Sequence, residues 1–479
     1  MSADSPRNFL DRCAMHAQGV SARTAIVTDS VEIDYATLSE LIAEGAAYLE
    51  AAGVGQDSVV GLLIADEVQH LIASLSLLAI GAGQITLATH DQPAMRDELA
   101  DRVGATHVLV GQSEQEAADR VRIWPADRQA RRASTHWRRD PASSGRLFLR
   151  TSGTTGKTNI LAFSETQIGL QAERHPEYAD ERLLRLAGIE HNNSKRHRLY
   201  CVWNGGTNVF IDHGHADLVG FVRAKDVTCL DISRMHAEGL PHLKDAAALG
   251  GIKIRTGGSA VPYATRQAIE RAVSRHLFVR YASSETGAIA MAMPGEHDDD
   301  ECSGRPIDGV ELKIFDQAGA PLPPGETGEI ALRTPGMVEG YFDNPEQTAL
   351  RFRDGWFHPG DIGYLRPDGQ LVVQGRKDEM IIMNGLNIFP KEIEAALESH
   401  PEIAYAAALA LPSRIHGDIP VAAVELAGAS ALTPPEIQRW AHPLLGLRAP
   451  KRVVIVDSLP RNSQGKVTKR ALLPLFERK

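Results

Sequence analysis

A chain of 479 residues is long enough for two or more domains, and 43% hydrophobic and 23% charged residues are ordinary for a globular protein. The formal net charge of −10 argues against a general nucleic-acid-binding surface and against a surface that binds anionic membranes. Four scattered cysteines, none in a CxxC spacing, support neither a zinc site nor a disulfide framework.

The N-terminus and the apolar stretches bear on location. The opening residues 1–13 are polar, so we expect no secretory signal. The longest apolar stretch, residues 71–83, is too short to cross a bilayer and predicts a buried helix. We therefore expect a cytoplasmic protein without membrane insertion, and the unpaired cysteines suit a reducing compartment.

Strands and helices alternate through the first third of the sequence. The predicted strands are 24–29, 58–64, 84–88, 106–111 and 145–150, and the first two predicted helices are 35–53 and 67–80. The continuous apolar run at 58–64 is typical of a parallel strand buried on both faces. This βαβ rhythm predicts an α/β fold with a mainly parallel sheet and helices on both of its faces.

The pattern changes after about residue 305. Residues 310–333 and 363–376 have hairpin patterns, the second with Asp368-Gly369 at its turn, and they predict a β-rich subdomain. A proline-started helix at 390–400, two short strands and a second helix then predict a small α+β domain. We place the boundary near Gly375–Asp378, which gives a large domain of residues 1–376 and a small one of residues 377–479.

A loop rich in glycine and hydroxyl groups follows the predicted strand at 145–150. It is not a Walker loop, because the glycine needed five residues before the Gly156-Lys157 pair is Thr151 here. Two glycines let backbone N–H groups approach an anion, while five hydroxyls and one lysine surround them. These residues are Thr151, Ser152, Gly153, Thr154, Thr155, Gly156, Lys157 and Thr158. The loop predicts phosphate binding, with an ordinary surface loop as the alternative.

Five later stretches each have a plain structural explanation as a turn, a cap or a solvated lysine. They are 254–261, 278–287, 355–365, 375–390 and 459–470. Taken together and in order with the loop, they resemble the adenylate-forming superfamily of acyl- and aryl-CoA ligases, luciferases and peptide-synthetase adenylation domains. The resemblance runs from about residue 24 to 470 and implies that the small domain is mobile.

The resemblance implies a role for each matching residue. The loop would hold the β- and γ-phosphates of ATP, Tyr281 would stack on adenine, Asp361 and Arg376 would hold the ribose, and Glu285 would bind Mg²⁺. Further ATP-site residues are Gly257, Gly258, Ser259, Ala282, Ser283 and Ser284, and Gly258 would also meet the acid. In the small domain, Asp378 would be the hinge, Gly385 would line the CoA tunnel, and Lys466 would be the catalytic lysine.

The chain departs from the family pattern directly after the phosphate loop. The family's Pro-Lys is Thr158-Asn159 here, which raises the question of whether Lys157 supplies the missing charge. The family's Tyr-Gly is Tyr281-Ala282, and its His-Thr-Gly-Asp contains Pro359. Because Glu285, Asp361, Arg376 and Lys466 are present, we expect an active enzyme.

The expected reaction activates a carboxylic acid with ATP to an acyl-adenylate, releases pyrophosphate, and transfers the acyl group to coenzyme A. A stand-alone enzyme that loads a carrier protein is the nearest alternative. A P-loop ATPase or kinase, which would release ADP, and a binding-only pseudoenzyme are the alternatives from other classes.

The acid pocket is expected within residues 186–210. His191-Asn192 resembles the His-Asn of aryl-acid-activating members, whereas a helix cap is the ordinary explanation for Asn192. Without an acidic residue to pair with an α-ammonium, amino acids are disfavoured. We expect Lys195, Arg196 and Arg198 to be solvated, with pairing to a second carboxylate or to a CoA phosphate as the alternative.

Overall fold

The computed structural model describes residues 8–18, 23–111, 121–124, 145–151, 158–212, 217–296, 302–413, 415–428, 430–461 and 467–477. Its mixed α/β architecture confirms the predicted fold class, with mainly parallel sheets first, a β-rich part next and an α+β part last. The division at residues 376 and 377 stays a prediction.

The first part of the chain forms a six-stranded sheet and the start of a larger one. Its elements are α1 (Phe9–Ala17), β1 (Thr24–Val27), β2 (Glu32–Asp34), α2 (Tyr35–Ala51), β3 (Val59–Leu63), α3 (Glu67–Ile80), β4 (Gly83–Thr86), α4 (Pro93–Arg102), β5 (His107–Val110), β6 (Val121–Ile123), β7 (Arg146–Thr151) and β8 (Asn159–Ser164). The six-stranded sheet has the order β6-β5-β3-β4-β7-β8, and only the β7–β8 pair is antiparallel.

The next part completes a nine-stranded sheet. Its elements are α5 (Glu165–Glu173), β9 (Arg182–Arg185), α6 (Asn192–Asn204), β10 (Thr207–Val209), α7 (Leu218–Ala224), β11 (Cys229–Ser233), α8 (Arg234–Gly239), β12 (Lys253–Gly257), α9 (Tyr263–Ala272), β13 (Leu277–Ser283), β14 (Gly287–Ala292) and β15 (Arg305–Pro306). The order is β15-β14-β13-β12-β11-β9-β10-β1-β2, parallel from β13 to β1 and antiparallel at both edges.

The β-rich part forms a separate sheet. Its elements are β16 (Glu311–Phe315), β17 (Gly328–Arg333), α10 (Pro345–Arg351), β18 (Phe352–Arg353), β19 (Trp356–Phe357), β20 (Asp361–Leu365) and β21 (Leu371–Arg376). Both predicted hairpins are present, since β16 pairs with β17 and β20 with β21. The second hairpin places Asp361 opposite Arg376.

The last part has its own sheet and two core clusters. Its elements are β22 (Ile381–Met383), β23 (Leu386–Ile388), α11 (Pro390–Glu398), β24 (Ile403–Ser413), β25 (Gly417–Leu426), α12 (Pro434–Leu445), β26 (Arg452–Val456) and α13 (Leu473–Glu477). The two strands predicted to be short are 11 and 10 residues long, because they pair with each other along almost their whole length.

The main core lies between the two parallel sheets. Strand residues from both sheets, such as Leu62 and Leu183, join one apolar cluster with residues of α3 and α6. Helix α3 is apolar on nearly every face, so it is buried from His70 to Ile80. In α/β folds, ligands bind at the edge formed by the carboxyl ends of the parallel strands.

Candidate functional site

Two parallel strands of the large sheet bring their carboxyl ends together at the predicted nucleotide site. Strand β12 ends at Gly257, which is in register with Arg280 of β13, so the turn at 257–259 lies beside Tyr281. A Cβ atom on Gly257 would collide with the carbonyl oxygen of Arg280, and Gly258 has φ +89°. The turn thus requires glycine at both positions.

Tyr281, Asp361 and Arg376 form one cluster, although they are far apart in sequence. The Tyr281 hydroxyl donates a short hydrogen bond to Oδ2 of Asp361, whose side chain is buried. Nη1 of Arg376 lies 3.7 Å from Oδ1 of Asp361. Burial, together with the charge of Asp361, raises the pKa of Tyr281 well above its usual value, so the phenol stays protonated.

Arg376 is engaged mainly with the predicted hinge residue. Its Nε and Nη2 atoms each donate a 2.9 Å hydrogen bond to the carboxylate of Asp378, and Nη1 donates to the carbonyl of Pro359 at 3.0 Å. Partial burial opposes ionisation of Asp378, but the hydrogen bonds from Arg376 outweigh it and lower the pKa of this carboxyl. In this arrangement the guanidinium fork is occupied by Asp378, with Asp361 at its edge.

Glu285 lies in the turn between β13 and β14. Its Oε1 atom accepts a 2.8 Å hydrogen bond from the hydroxyl of Tyr341, while Oε2 has no hydrogen-bond partner among the described residues. Mg²⁺ in nucleotide sites takes one or two carboxylates together with phosphate oxygens and water. One oriented carboxylate with an open oxygen fits that donor set, and Glu285 would hold the ion here.

The residues just before Glu285 shape the same turn. Oγ of Ser283 lies 2.9 Å from Oγ1 of Thr286 and accepts from its backbone N–H, which closes a local turn. The carbonyl of Ser284 accepts a 2.8 Å hydrogen bond from Nη1 of Arg196. Ala282 pairs with Ala288 just after an irregularity in the β13–β14 register.

The predicted acid-binding residues begin helix α6. His191 is the N-cap residue, its side chain makes no capping hydrogen bond, and its ring centroid lies 5.3 Å from that of His90. Burial, with His90 as a smaller cause, lowers the pKa of His191. The Asn192 amide donates a short hydrogen bond to the carbonyl of Arg150, so it contacts the strand that leads into the phosphate loop.

The basic run on α6 is buried, and the prediction that it is solvated is wrong. Lys195 is 0% exposed and Arg196 is 4% exposed, and His197 and Arg198 are also buried. The reason is the position of α6 between the two sheets, which leaves this run no face toward water.

Only the two ends of the phosphate loop lie within the described residues. Thr151 ends β7 and pairs with Asn159 of β8. The Asn159 amide oxygen accepts a 2.7 Å hydrogen bond from Asn344, so this residue has a structural contact where the family has its loop lysine. Six loop residues lie outside the described part of the chain: Ser152, Gly153, Thr154, Thr155, Gly156 and Lys157.

Lys466 also lies outside the described residues, but its flanks do not. Arg461 and Val467 form an antiparallel bridge that closes the loop carrying the lysine. Lys469 then pairs with Glu379 at 3.0 Å and with Glu394 at 2.8 Å. The described residues that follow the loop are therefore tied to the segment directly after Asp378.

Gly385 sits at the turn of the β22–β23 hairpin with φ +81°, after Asn384 at φ +51°. An Asn-Gly pair with both φ values positive is the favoured two-residue hairpin turn. Its conformation alone therefore explains this glycine, and its role toward CoA stays a prediction.

A separate cavity of about 480 Å³ lies at the carboxyl ends of β1, β3 and β10. Acidic residues are prominent in its lining, among them Asp29, Asp66 and Glu67. None of the residues predicted for the ATP or acid site lines it. In the described part of the chain, no helix combines the length and the apolar character needed to span a membrane.

Sequence reasoning missed two residues that contact the predicted centre. Tyr341 orients Glu285, and nothing in its local sequence distinguishes it from a core tyrosine. Arg196 contacts Ser284, and a signal for it was present. Four consecutive basic or imidazole side chains, residues 195–198, cover every face of a helical turn, so some of them had to point inward.

Comparison with known proteins places these residues in a family. The chain matches the sequence pattern of the AMP-binding enzyme family over residues 13–342 and that of its C-terminal domain over residues 392–466. It is 28% identical to an indoleacetate–CoA ligase of Aromatoleum aromaticum over 507 aligned residues, which cover 98% of each chain.

It is also 35% identical to a fatty acid–acyl-carrier-protein ligase of Streptomyces coeruleorubidus over 202 residues, 41% of this chain and 39% of the relative. Four curated relatives with strong matches align over 36–60% of their own length. The fold is that of ATP-bound MatB from Rhodopseudomonas palustris, with a TM-score of 0.87, 22% identity, and coverage of 98% of this chain and 99% of that one. The chain therefore belongs to the AMP-binding, adenylate-forming enzyme family.

Proposed function

We propose that this protein is an acid–thiol ligase that activates a carboxylic acid with ATP and transfers the acyl group to coenzyme A. The observation that carries the proposal is the cluster at the carboxyl edge of β12 and β13. There Tyr281, Asp361 and Arg376 lie together, one turn away from Glu285. Family membership supports the assignment of this cluster to ATP.

In the first half-reaction, a carboxylate oxygen of the acid attacks the α-phosphorus of ATP. The bond to the bridging oxygen breaks, and acyl-AMP and pyrophosphate result. Glu285 would hold Mg²⁺, which neutralises phosphate charge, and the ammonium of Lys466 would lie between the carboxylate and the α-phosphate. Asp361 would accept the ribose hydroxyls, and the ring of Tyr281 would pack on adenine.

In the second half-reaction, the thiol sulfur of CoA attacks the acyl carbon and AMP leaves. The protein need not supply a nucleophile, because both substrates bring their own reacting groups. Its work is to position charges and then to exchange the lining of the site by rotation of the small domain about Asp378. Gly385 would then approach the pantetheine arm.

A carrier protein is the alternative acyl acceptor. The relative named as a fatty acid–acyl-carrier-protein ligase favours it, whereas the relative named as an indoleacetate–CoA ligase favours CoA. Incubation with acid, ATP and either CoA or a phosphopantetheinyl carrier protein distinguishes the two. Free acyl-CoA supports the ligase, and acylation of the carrier alone supports the alternative.

An aryl acid is the finer proposal for the substrate. It rests on His191 and Asn192, which begin the helix beside the phosphate-loop strand. The Asn192 amide already donates a hydrogen bond to the carbonyl of Arg150. This contact weakens the argument that Asn192 binds a polar substituent on the ring. A ring packed against His191 and His90 remains compatible with their 5.3 Å separation.

The decisive experiment is a pyrophosphate-release screen over aryl, fatty and dicarboxylic acids, with the nucleotide product identified. AMP and pyrophosphate formed only in the presence of an acid support the proposal. ADP and inorganic phosphate, or release independent of any acid, would replace it with an ATPase or kinase.

A further inference from the structure

Helix α6 contains two kinds of buried cation. Arg198 donates to Glu67 at 2.8 Å, and the nearby Arg185 donates to Asp231 at 2.6 Å, so each has a carboxylate. Lys195 and Arg196 differ, because neither lies within 4.0 Å of a carboxylate among the described residues. The helix thus buries two charges that the described protein does not neutralise.

Lys195 is the more enclosed of the two. Its ammonium donates to Oγ1 of Thr86 at 3.2 Å, and its side chain is fully buried. Thr86 ends β4, and β4 lies beside β7, the strand that leads into the phosphate loop. His70, whose Nε2 atom is 3.4 Å from the same hydroxyl, adds no negative charge.

Arg196 lies on the next position of the helix and has polar contacts but no carboxylate. Its Nη1 atom donates to the carbonyl of Ser284, next to Glu285, and lies 3.5 Å from Oε1 of Gln171. Its Nε atom is buried and has no hydrogen-bond partner among the described residues. The two cations therefore flank Asn192, one toward the phosphate-loop strand and one toward the Glu285 turn.

The start of α6 adds further positive potential. The helix has 13 residues, and the His191 side chain does not cap it. The backbone N–H groups of Asn192, Asn193 and Ser194 have no hydrogen-bond acceptor among the described residues. Free N–H groups and the helix dipole favour an anion at this end.

A buried charge without a partner is strongly destabilising, so an anionic ligand at these two cations would supply a counter-charge that the described residues do not. We propose that the first turn of α6, with Lys195 and Arg196, binds a second carboxylate, so that the preferred substrate is a dicarboxylic acid. This inference rests on the proposed ligase function. It assigns the acid and not ATP to these cations, because the loop and Lys466 already provide the predicted contacts to the phosphates.

The test compares acids that differ only in the second charge. Malonate, succinate, glutarate and phthalate are each assayed for pyrophosphate release beside the matching monoamide. The variants are Lys195→Met, Arg196→Met and the charge-retaining Arg196→Lys. Lys244→Met is the control, because Lys244 is an exposed lysine that is not among the residues predicted for the ATP or acid site. KM values for the acid and for ATP are measured separately.

We expect the wild type to favour one dicarboxylate over its monoamide by at least ~10²-fold in kcat/KM, the effect of losing a buried charge partner. Lys195→Met and Arg196→Met should reduce that ratio at least ~10-fold through the KM for the acid, while Arg196→Lys retains part of it. The preferred diacid should also raise the melting midpoint of the wild type, and of neither Met variant.

Several results would overturn the inference. A ratio near one in a wild type that activates monocarboxylic acids would refute the second-carboxylate subsite and leave the ligase function intact. A rise in the KM for ATP, with the ratio unchanged, would assign the cations to a phosphate. Absence of acid-dependent pyrophosphate release with every acid would instead refute the proposed function itself.

Discussion

The contact between Glu285 and Tyr341 makes it possible to test whether the Glu285 carboxylate binds Mg²⁺ or only anchors Tyr341. Tyr341 holds Oε1 through a 2.8 Å hydrogen bond and leaves Oε2 open. If Glu285 binds Mg²⁺, its charge matters most. If it only anchors the loop of Tyr341, the hydrogen bond matters most.

Glu285→Gln keeps the size of the side chain and the acceptor for Tyr341, but it removes the negative charge. We expect acyl-AMP formation to fall at least ~10²-fold, the usual effect of losing one preorganised electrostatic contact. Tyr341→Phe, which keeps the charge and removes the hydrogen bond, should cost much less. The activity of both variants is measured by pyrophosphate release across a Mg²⁺ titration. If Glu285→Gln and Tyr341→Phe lose the same activity at every Mg²⁺ concentration, Glu285 has a structural role.

The Asn192 side chain offers a second test at this scale. From the sequence, Asn192→Ala should impair a hydroxy- or amino-aryl acid selectively, because only that acid would leave a polar group unpaired. The hydrogen bond to Arg150 predicts instead a similar loss for substituted and unsubstituted acids, with a higher KM for ATP. Measured kcat/KM values for 4-hydroxybenzoate and benzoate, with the KM for ATP, decide between the two.

Among the elements, α3 and α6 show what sequence patterns convey. The apolar sequence of α3 predicts a buried helix at 67–80, and the structure confirms these bounds, Glu67–Ile80. Asp66 caps its start, and Gly81, with φ +77°, ends it. Helix α6 has no apolar face in its first two turns, so periodicity could not show that it is buried. The burial of α6 results from its position between the two sheets, and the local sequence does not indicate that position.

The same limit applies to the site. The motifs around Gly257, Tyr281 and Asp361 can be predicted because their glycines and carboxylates occur in the order that the family shows. The partners Tyr341 and Arg196 were not found, since a contact between residues 56 or 88 positions apart leaves no local pattern.

The burial of Lys195 predicts a pH dependence of stability. Burial lowers the pKa of Lys195 to about 7, while an unfolded chain has a lysine pKa of about 10.4. Below pH 7 both states bind the proton and the full cost of burial is present. Between pH 7 and about 10 only the unfolded chain binds it, so the contribution of this group to stability rises with pH. His70 stays neutral throughout, since burial lowers its pKa to about 3.

Lys195→Met should therefore stabilise the ligand-free protein at pH 6.5, by about 1–4 kcal/mol. The gain should shrink toward zero at pH 9.5, where the wild-type ammonium has lost its proton in the folded state. Urea unfolding of the wild type and the variant at the two pH values measures this difference in the free energy of unfolding. A gain that does not depend on pH would mean that Lys195 is not charged when buried.

At the scale of the whole molecule, polar contacts join the last part of the chain to α8. Arg234 donates to Glu398 of α11 at 3.1 Å, and Tyr405 of β24 donates to Glu238 at 2.7 Å. The guanidinium of Arg461 lies 4.2 Å from the ring centroid of Tyr405. Because α8 directly follows β11, these contacts join α11, β24 and Arg461 to the helix that begins at the carboxyl end of a strand of the large sheet.

The last prediction uses this arrangement to separate the two half-reactions. Lys466→Ala should cost acyl-AMP formation about 3 kcal/mol or more, since it removes a positive charge beside the bond-forming oxygens. Given synthetic acyl-AMP and CoA, the same variant should form thioester at nearly the wild-type rate, because the lysine has then rotated away.

Two further variants test the movement of the small domain. Tyr405→Phe removes only the hydroxyl that donates to Glu238, so it should slow adenylation a few-fold and leave the rate of the second step unchanged. Asp378→Pro fixes φ at the hinge and should do the opposite, accumulating acyl-AMP without thioester. Rapid-quench measurement of acyl-AMP and thioester gives both rates. Equal slowing of the two steps by Lys466→Ala would show a single static site, in which the lysine serves to hold the small domain in place.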